Sequence, residues 1–490
     1  MHIETEFIEN PEQLFWMSNT KISNQNAGRI YPKFSSNVAS GKSVAVYKCE
    51  VGNIKTKIAQ LSYPDYSELR KKYKNGENID LSYTYISDFS WLGDKKPYEV
   101  EGQPYKKIDK FLAVCSFWDN KYEEWDDKCI HIMQAEILGS DLDFSYACFN
   151  NLNFDFFNLK ISQGNLCFDY AKLYDSKISL GGIECIGNRL FLSQVSFRYI
   201  EGENSEIDFM MLSARLSIDF LLAKMKSGKV TIDGLPYGLN DVCFTKTNIK
   251  KLELTNADIV ALDIREANIK ELTFTRCIFT GVCDIAAQIE KLIIESGVIS
   301  NIFKINLTEV KELGFDNTVN NGKIYFKDFA AYTEALLLHI NKSSGSVEEQ
   351  ILMLKENFRQ LGEYSNEDLC HLRYQKLKTK NEQNVLKKFG RSLIGLSSGY
   401  GTKPFNMLLL VLLFIAGFAA VFYFVPSIQF KGTCTFFDYL YVSGITFFTV
   451  GYGDIVPANL ATKLAVIVEA FCGVTTMSYF LVVLSRKVIR

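Results

Sequence analysis

Apolar residues recur every five positions along a long stretch of this chain. Ile249, Leu254, Ile259, Ile264, Ile269, Phe274 and Phe279 hold the period, and Ile289, Ile294 and Ile299 resume it after a break at Asp284. A helix repeats every 3.6 residues and a strand every two, so neither can bury this pattern on one face. A coil that turns a corner every five residues can. Two side chains of each side then point inward, and stacked coils share one apolar ladder. A second series sits two residues before the first and alternates in size. Thr247, Ala257, Ala267, Cys277, Ala287 and Gly297 are small, whereas Leu252, Leu262, Leu272, Val282, Leu292 and Ile302 are large. Ala135/Ile137, Ser140/Leu142, Ala147/Phe149, Ala171/Leu173, Ser176/Ile178 and Gly181/Ile183 follow the same idea with slips. The spacing predicts stacked coils over residues 131–325, regular over 131–183 and 247–302. Across 184–240 the pattern fails. There Lys224, Lys226, Lys229 and the Gly234-Leu235-Pro236 sequence predict a loop or an irregular coil.

The small-x-Leu/Phe unit at this period resembles the pentapeptide-repeat family. That resemblance implies a right-handed, four-sided β-solenoid, which is a fold and carries no chemistry. Residues 1–130 are aromatic-rich and irregular. Ser43–Tyr47 and Leu81–Ile86 alternate as strands do, but no fold follows from them. Gly41-Lys42-Ser43 has the look of the end of a phosphate-binding loop, yet Ser36 stands where that motif needs glycine, so a surface turn is expected.

Composition narrows the function classes. Lys plus Arg total 54 and Asp plus Glu total 56, a net charge of -2. That balance is unlike a wholesale nucleic-acid binder, so no nucleic-acid partner is expected. The twelve cysteines are scattered without a C-x-x-C pair, and only four histidines accompany them. This predicts free thiols in a reducing compartment, with neither a disulfide framework nor a zinc site. No catalytic constellation and no cofactor motif is evident, and the N-terminus lacks the basic and apolar regions of a signal peptide.

Residues 326–400 read as helical. Ser346-x-x-Glu349 is a capping box ahead of Ile351, Leu352, Leu354 and Phe358, and Gly362 ends that helix. Ser365-x-x-Asp368 opens another, expected to run through Leu369, Leu372, Leu377, Val385, Leu386 and Phe389. From Arg373 to Lys403 there are eight basic residues and one acid, Glu382, as a juxtamembrane segment would have.

Phe405 to Val425 is an uncharged stretch. At about 1.5 Å per residue it is long enough to cross a bilayer core of about 30 Å. A second apolar stretch runs from Leu460 to Leu484, with Glu469 inside it and Arg486, Lys487 and Arg490 after it. Basic residues flank the pair on one side, which predicts both termini in the cytoplasm. Between the two lies a short amphipathic stretch, 436–448, and then Thr449-Val450-Gly451-Tyr452-Gly453-Asp454. Letter for letter, this string resembles the potassium-channel selectivity filter. Its physical logic is that backbone carbonyls at successive levels replace an ion's water shell, with Gly451 and Gly453 permitting the dihedrals that aim them. Gly399-Tyr400-Gly401 is a decoy, since it lacks Thr-Val and precedes the first span.

Residues 405–490 thus resemble two-transmembrane tetrameric potassium channels, and more narrowly bacterial channels with a pentapeptide-repeat domain ahead of the pore. The resemblance implies a homotetramer in the cell membrane, surrounded by lipid, with K⁺ as permeant ion and no other cofactor. It places the ion-coordinating carbonyls on Thr449, Val450, Gly451 and Tyr452, with Gly453 completing the filter. Asp454 would sit behind the filter mouth. Its usual tryptophan partner is replaced by Tyr441, which keeps a donor, and an acid that some relatives carry is replaced by Ile445. Gly473 falls where relatives have an inner-helix hinge, though a small residue for close packing explains it as well. Met477 and Leu481 are expected to line the cavity. Glu469 is expected to hydrogen-bond Ser443 or Thr446. The expected architecture is mixed: a β-rich region of uncertain fold (1–130), a cytosolic β-solenoid (131–325), a helical linker (326–400) and an all-α pore domain with a re-entrant loop (401–490). Six residues follow Leu484, so no C-terminal sensing ring is expected, and two spans leave no voltage sensor. The solenoid would regulate gating or assembly, or hold a cytosolic ligand or protein. A competing class is a membrane-anchored scaffold whose solenoid recruits a partner and whose pore is vestigial.

Overall fold

One ladder of parallel pairs threads the N-terminal part of the molecule. It steps from Ile79 to Phe111, Leu142, Leu166, Val195, Ile218, Val242, Leu262, Cys283, Phe303 and Ile324. Every one of these side chains is buried. This is a computed structural model, and it describes residues 2–8, 39–50, 54–87, 103–120, 129–132, 134–186, 194–212, 216–234, 239–342, 347–431 and 435–488. The chain divides into two compact units, Met1–Gln350 and Ile351–Arg490.

The first unit is a β-solenoid. Between residues 239 and 308 most rungs lie twenty residues from the next, as in Ile249, Ile269 and Ile289, which is four sides of five. Between residues 135 and 186 the step is twenty-four, as from Phe149 to Leu173 and from Phe154 to Ile178. The corners account for the difference. Lys246, Asn256, Glu266 and Arg276 adopt left-handed backbone every ten residues, two corners per coil. Gln134, Gly139, Tyr146, Asn151, Asn158, Gln163, Tyr170, Asp175 and Gly182 do so at alternating intervals of five and seven, four corners per coil. The small residues of the sequence pattern have their reason here. Thr247, Ala257, Ala267 and Cys277 each follow a left-handed corner and are buried.

Four expectations are corrected. The ladder begins at Ile79, well before residue 131. Leu81–Ile86 is not one strand: Ser82 and Tyr83 form a turn, Tyr83 is left-handed, and the strand is Tyr85–Ser87. The coils also continue through 194–234, where Lys224, Lys226 and Lys229 lie on a strand, Lys224–Gly234. Leu235 and Pro236 lie outside the described residues. Finally, Val282 is 46% exposed, because Cys283 takes the rung that the period assigned to its neighbour. Phe303 likewise takes the place expected of Ile302. The slip starts at Gly281, where a Cβ would stand 1.7 Å from the Val260 carbonyl oxygen. The extra residue is absorbed between Arg265 and Asn268 of the preceding coil, and this is why Asp284 broke the five-residue run.

Aromatic rings fill the early coils. Phe144, Phe168, Phe197, Phe220 and Phe244 stack face to face at 4.8–5.0 Å between centroids, one per coil. Helix α1 (Tyr66–Asn75) sits at one end of the solenoid, with Leu69 and Tyr73 buried and the Lys106 ammonium 4.0 Å from the Tyr73 ring centroid. Ahead of it, β1 (His2–Ile8), β2 (Ala39–Glu50) and β3 (Ile54–Pro64) form an antiparallel sheet. Gly41-Lys42 therefore lies in a strand, at a register shift, and not in a surface turn.

Helix α2 (Phe329–Lys342) closes the other end. The Tyr332 hydroxyl accepts from the Leu307 N–H at 3.0 Å and donates to the Leu307 carbonyl at 3.2 Å. The Gln350 side-chain oxygen accepts from the Phe315 N–H at 3.0 Å. His339 is buried between two carboxylates, with Glu312 2.9 Å from Nδ1 and Asp316 2.6 Å from Nε2. Side chains thus satisfy backbone groups of the last coils that no further strand reaches.

The second unit is helical. Helix α3 (Val347–Leu361) ends at Gly362, left-handed at φ 72°, as expected. Ser346 lies outside the described residues. Helix α4 (Tyr364–Lys380) starts two residues earlier than Ser365-x-x-Asp368 suggested, with Glu363 at its N-cap. It also stops short of Val385, because Asn384 caps a new helix, α5 (Val385–Ser398), by accepting from the Lys387 N–H at 3.2 Å. Helix α6 (Pro404–Phe424) begins with proline, where the missing N–H costs nothing. Then come α7 (Phe436–Phe447) and α8 (Leu460–Val488).

Candidate functional site

Helices α6 and α8 are both long and apolar enough to cross a membrane. Helix α7 packs between them, and its position is set by side chains that one residue draws together. The Ser443 hydroxyl lies 2.8 Å from the Ile415 carbonyl of α6 and 2.5 Å from Oε1 of Glu469 on α8. Ser443 and Glu469 are fully buried, so this contact pins three helices at one point. Of the two partners expected for Glu469, Ser443 is the one engaged. Glu469 Oε2 has no hydrogen-bond partner among the described residues. Gly473 serves close approach: a Cβ there would stand 2.1 Å from the Phe447 carbonyl oxygen at the end of α7. Helix α8 runs unbroken through it.

The N-terminus of α7 is fixed by Asp438, whose carboxylate accepts from the Thr435 N–H at 2.8 Å and hydroxyl at 2.9 Å. An acid in the first turn also suits the helix dipole. At the other end the chain leaves helical geometry. Thr449 donates its N–H to the Thr446 carbonyl at 3.0 Å, and the Ile445 carbonyl accepts from Val450 at 2.8 Å and Gly451 at 3.4 Å. Thr449, Gly451 and Gly453 have left-handed backbone, at φ 56°, 52° and 78°. The two glycines take that conformation without a Cβ penalty. Thr449 does not have that freedom, and its left-handed backbone was not anticipated. Val450 and Tyr452 are exposed on this single chain, at 51% and 72%.

The Tyr441 hydroxyl donates to Asp454 at 2.9 Å, so the tyrosine at the tryptophan position does reach the acid. Ile445 contributes through its backbone, which the absence of an acid at that position did not suggest. Met477 is half-buried and Leu481 is 59% exposed.

Sequence reasoning missed a clasp around the loop. Strands Phe430–Lys431 and Val456–Pro457 pair antiparallel. The Asn459 side chain donates to the Ser427 carbonyl at 2.8 Å and accepts from the Thr462 N–H at 2.9 Å. The Thr462 hydroxyl accepts from the Gln429 N–H at 2.8 Å. Asn459-x-x-Thr462 is an N-cap spacing, and that was the available signal. Also missed was the hold on the far end of α8. Asp368 pairs with Arg486 at 3.3 Å and Lys487 at 3.1 Å, and the Ser398 and Tyr479 hydroxyls lie 2.7 Å apart. Burial, with Arg486 and Lys355 nearby, pulls the His371 imidazole down to about 4. No group of three His, Cys, Asp or Glu that could hold a metal occurs among the described residues. Cys115, Cys148, Cys167, Cys243, Cys277, Cys283, Cys370 and Cys472 are free thiols, and burial pushes Cys115, Cys148 and Cys277 up to about 12.

Residues 410–490 match a family model described as ion channel. The C-terminal segment therefore carries an ion-channel domain. A curated relative, two-pore potassium channel 4 from Arabidopsis thaliana, is 51% identical over 55 residues, which is 11% of this chain and 19% of that protein. The chain thus spans under a fifth of that relative's length. No solved structure matches.

Proposed function

We propose that the chain is one subunit of a homotetrameric, K⁺-selective channel, a β-solenoid joined to a two-transmembrane pore. The observation that carries this is the Thr449–Asp454 segment itself: a filter sequence leaving a short capped helix between two apolar helices, with left-handed backbone at Thr449, Gly451 and Gly453. Irregular backbone at membrane depth is tolerated where it lines a pore. One such segment supplies a quarter of each coordinating ring, so four copies assemble about an axis. The carbonyls of Thr449, Val450, Gly451 and Tyr452 coordinate K⁺ and the Thr449 hydroxyl adds the lowest site. Gly453 lets the chain turn outward. Tyr441 and Asp454 brace the mouth, Glu469 orients α7 through Ser443, and Met477 and Leu481 face the cavity. Both termini lie in the cytoplasm, and the solenoid acts there on gating.

Single-channel recording of purified protein in a planar bilayer tests the reading. K⁺ current well ahead of Na⁺ is expected, and equal permeabilities overturn it. The solenoid's role is tested by removing residues 1–350, a cut that keeps α2 and Gln350 with the coils they cover. The remaining protein should form K⁺-selective tetramers with altered open probability. Unchanged open probability would make the solenoid a docking platform, and loss of tetramers would make it an assembly domain.

A further inference from the structure

The last coils of the solenoid finish their outer sides on different terms. One side carries Lys251, Glu271, Lys291 and Glu312, in register from coil to coil. Opposite charges alternate along that row, so the side is complete in water. Another side carries Ile278, Val298 and Val319, also in register. Val260 and Val282 widen this row in the coils where it begins. Val260, Ile278, Val282 and Val319 are 43–51% exposed, and Val298 is half-buried. Of the residues along this side, 258–261, 278–282, 298–302 and 319–322, Asp258 alone is charged. A contiguous apolar strip on a flat β-surface is unusual where it meets only water.

Two features say what covers it. The first is charge. Two copies of a strip this poor in charge can face each other without like-charge repulsion and without burying ion pairs, which is what a self-complementary contact requires. The second is place in the chain combined with size. These are the last coils before the chain leaves the solenoid at α2, and so the nearest in sequence to the pore unit. Four coils about 4.8 Å apart, each with a side of about five residues, give a strip of about 300 Å² per copy. A self-standing complex needs about 800 Å² per partner. The strip is therefore too small to join free chains. It suits chains already gathered by something else, and four subunits around one pore are held at high effective concentration.

We propose that the solenoids of the assembled channel pair in twos through this strip, with Val298 facing Val298 of a second copy near a two-fold axis. The β-branched side chains interlock across about 10 Å, as between packed sheets. Four subunits then carry two such pairs, so the solenoids have two-fold symmetry whereas the pore has four-fold symmetry. The inference rests on the homotetramer of the proposed function and does not rest on K⁺ selectivity.

The test uses the full chain in detergent micelles and a bifunctional maleimide that spans about 10 Å. Val298→Cys reports the strip, and Gln288→Cys, exposed on another side of the same coils, is the control. Yields of covalent dimer are read against the parent chain, whose own cysteines remain. Val298→Cys should give severalfold more dimer than Gln288→Cys. It should also be shielded from a monofunctional, water-soluble maleimide. Adding Ile278→Lys and Val319→Lys sets four lysines against one another and should cut the dimer yield at least fivefold. Both are surface changes, so circular dichroism and the urea midpoint should stay as in the parent. Dimer that persists undiminished in that variant overturns the role of the apolar row. Free labelling of Val298→Cys without dimer would make the strip a water-facing surface and overturn the proposal. Shielding without dimer overturns it too, by assigning the strip to a different occupant. Light scattering on the same samples counts the copies. Four copies without the cross-link sink the pairing and leave the tetramer, whereas two copies with it sink the tetramer and leave the pairing.

Discussion

The solenoid and the pore unit bury their apolar residues on different terms. In the solenoid the ladder from Ile79 to Ile324 is closed off from water within one chain, rung by rung. The pore unit leaves Phe448, Val450, Tyr452 and Leu481 between 49% and 72% exposed, at the positions a channel would use. A solenoid is complete alone because each coil covers the next. As one subunit of the proposed tetramer the pore unit would be incomplete alone, and these exposed residues would mark where neighbours belong. Exposure that would be a liability in the solenoid is what the proposed assembly would require of the pore unit.

The comparison breaks most sharply at the filter. Gly453→Ala adds a Cβ where φ is 78°, and K⁺ selectivity should be abolished, as read by reversal potentials, while the circular dichroism of the solenoid stays unchanged. A selective Gly453→Ala channel would mean that the left-handed backbone is incidental. The converse experiment strikes the solenoid alone. Phe168→Ala opens a hole in the middle of the ring column between Phe144 and Phe197 and should destabilise the coils by about 3–5 kcal/mol, measured as a lower urea midpoint. K⁺ selectivity in the same protein should survive, and its loss would mean that the two units are not energetically separate.

Smaller changes sharpen the picture within the pore unit. Tyr441→Phe deletes the hydroxyl 2.9 Å from Asp454 and should cost the conducting filter about 1–2 kcal/mol against its collapsed form, seen as faster current run-down. Unaltered inactivation would remove Tyr441 from the filter's support. His371 gives a pH test. Its imidazole sits near 4 when folded and returns to 6.5 when unfolded. Between those values the unfolded chain binds more protons, so stability falls as pH drops from about 6.5 to about 4 and levels off below. Hydrogen exchange in α4 should quicken over that window, and His371→Asn should flatten the response.

How legible was this in the sequence? The Thr449–Asp454 string could be picked out because its six residues are contiguous, so no tertiary knowledge is needed to find it. The later coils were legible because most of their rungs step by twenty, which puts an apolar residue at every fifth place except at the slip after Gly281. The earlier coils were blurred by the alternation of five and seven between left-handed corners, which no single period captures. The coils before residue 131 were invisible because Ile79, Phe111 and Leu142 lie more than thirty residues apart. Pairing across such spans is set by the fold and leaves no local spacing to detect. At the site, Tyr441 and Ser443 could be named because their partners were chemically constrained. The Asn459 and Thr462 clasp and the Asp368 pairs could not, since each joins segments that only the packed helices bring together.

The side chains that close the solenoid, Tyr332 and His339 of α2 and Gln350 of α3, have a consequence outside the single molecule. A stack of coils has no intrinsic length, and its last strand offers the same hydrogen-bonding template as the strand before it. Left open, that template would accept the first coil of another chain and then another, as a fibre grows. Tyr332 and Gln350 occupy the very groups such an addition would need. Removing both should convert a terminating surface into a propagating one, and the first sign would be concentration-dependent scattering well below the unfolding temperature.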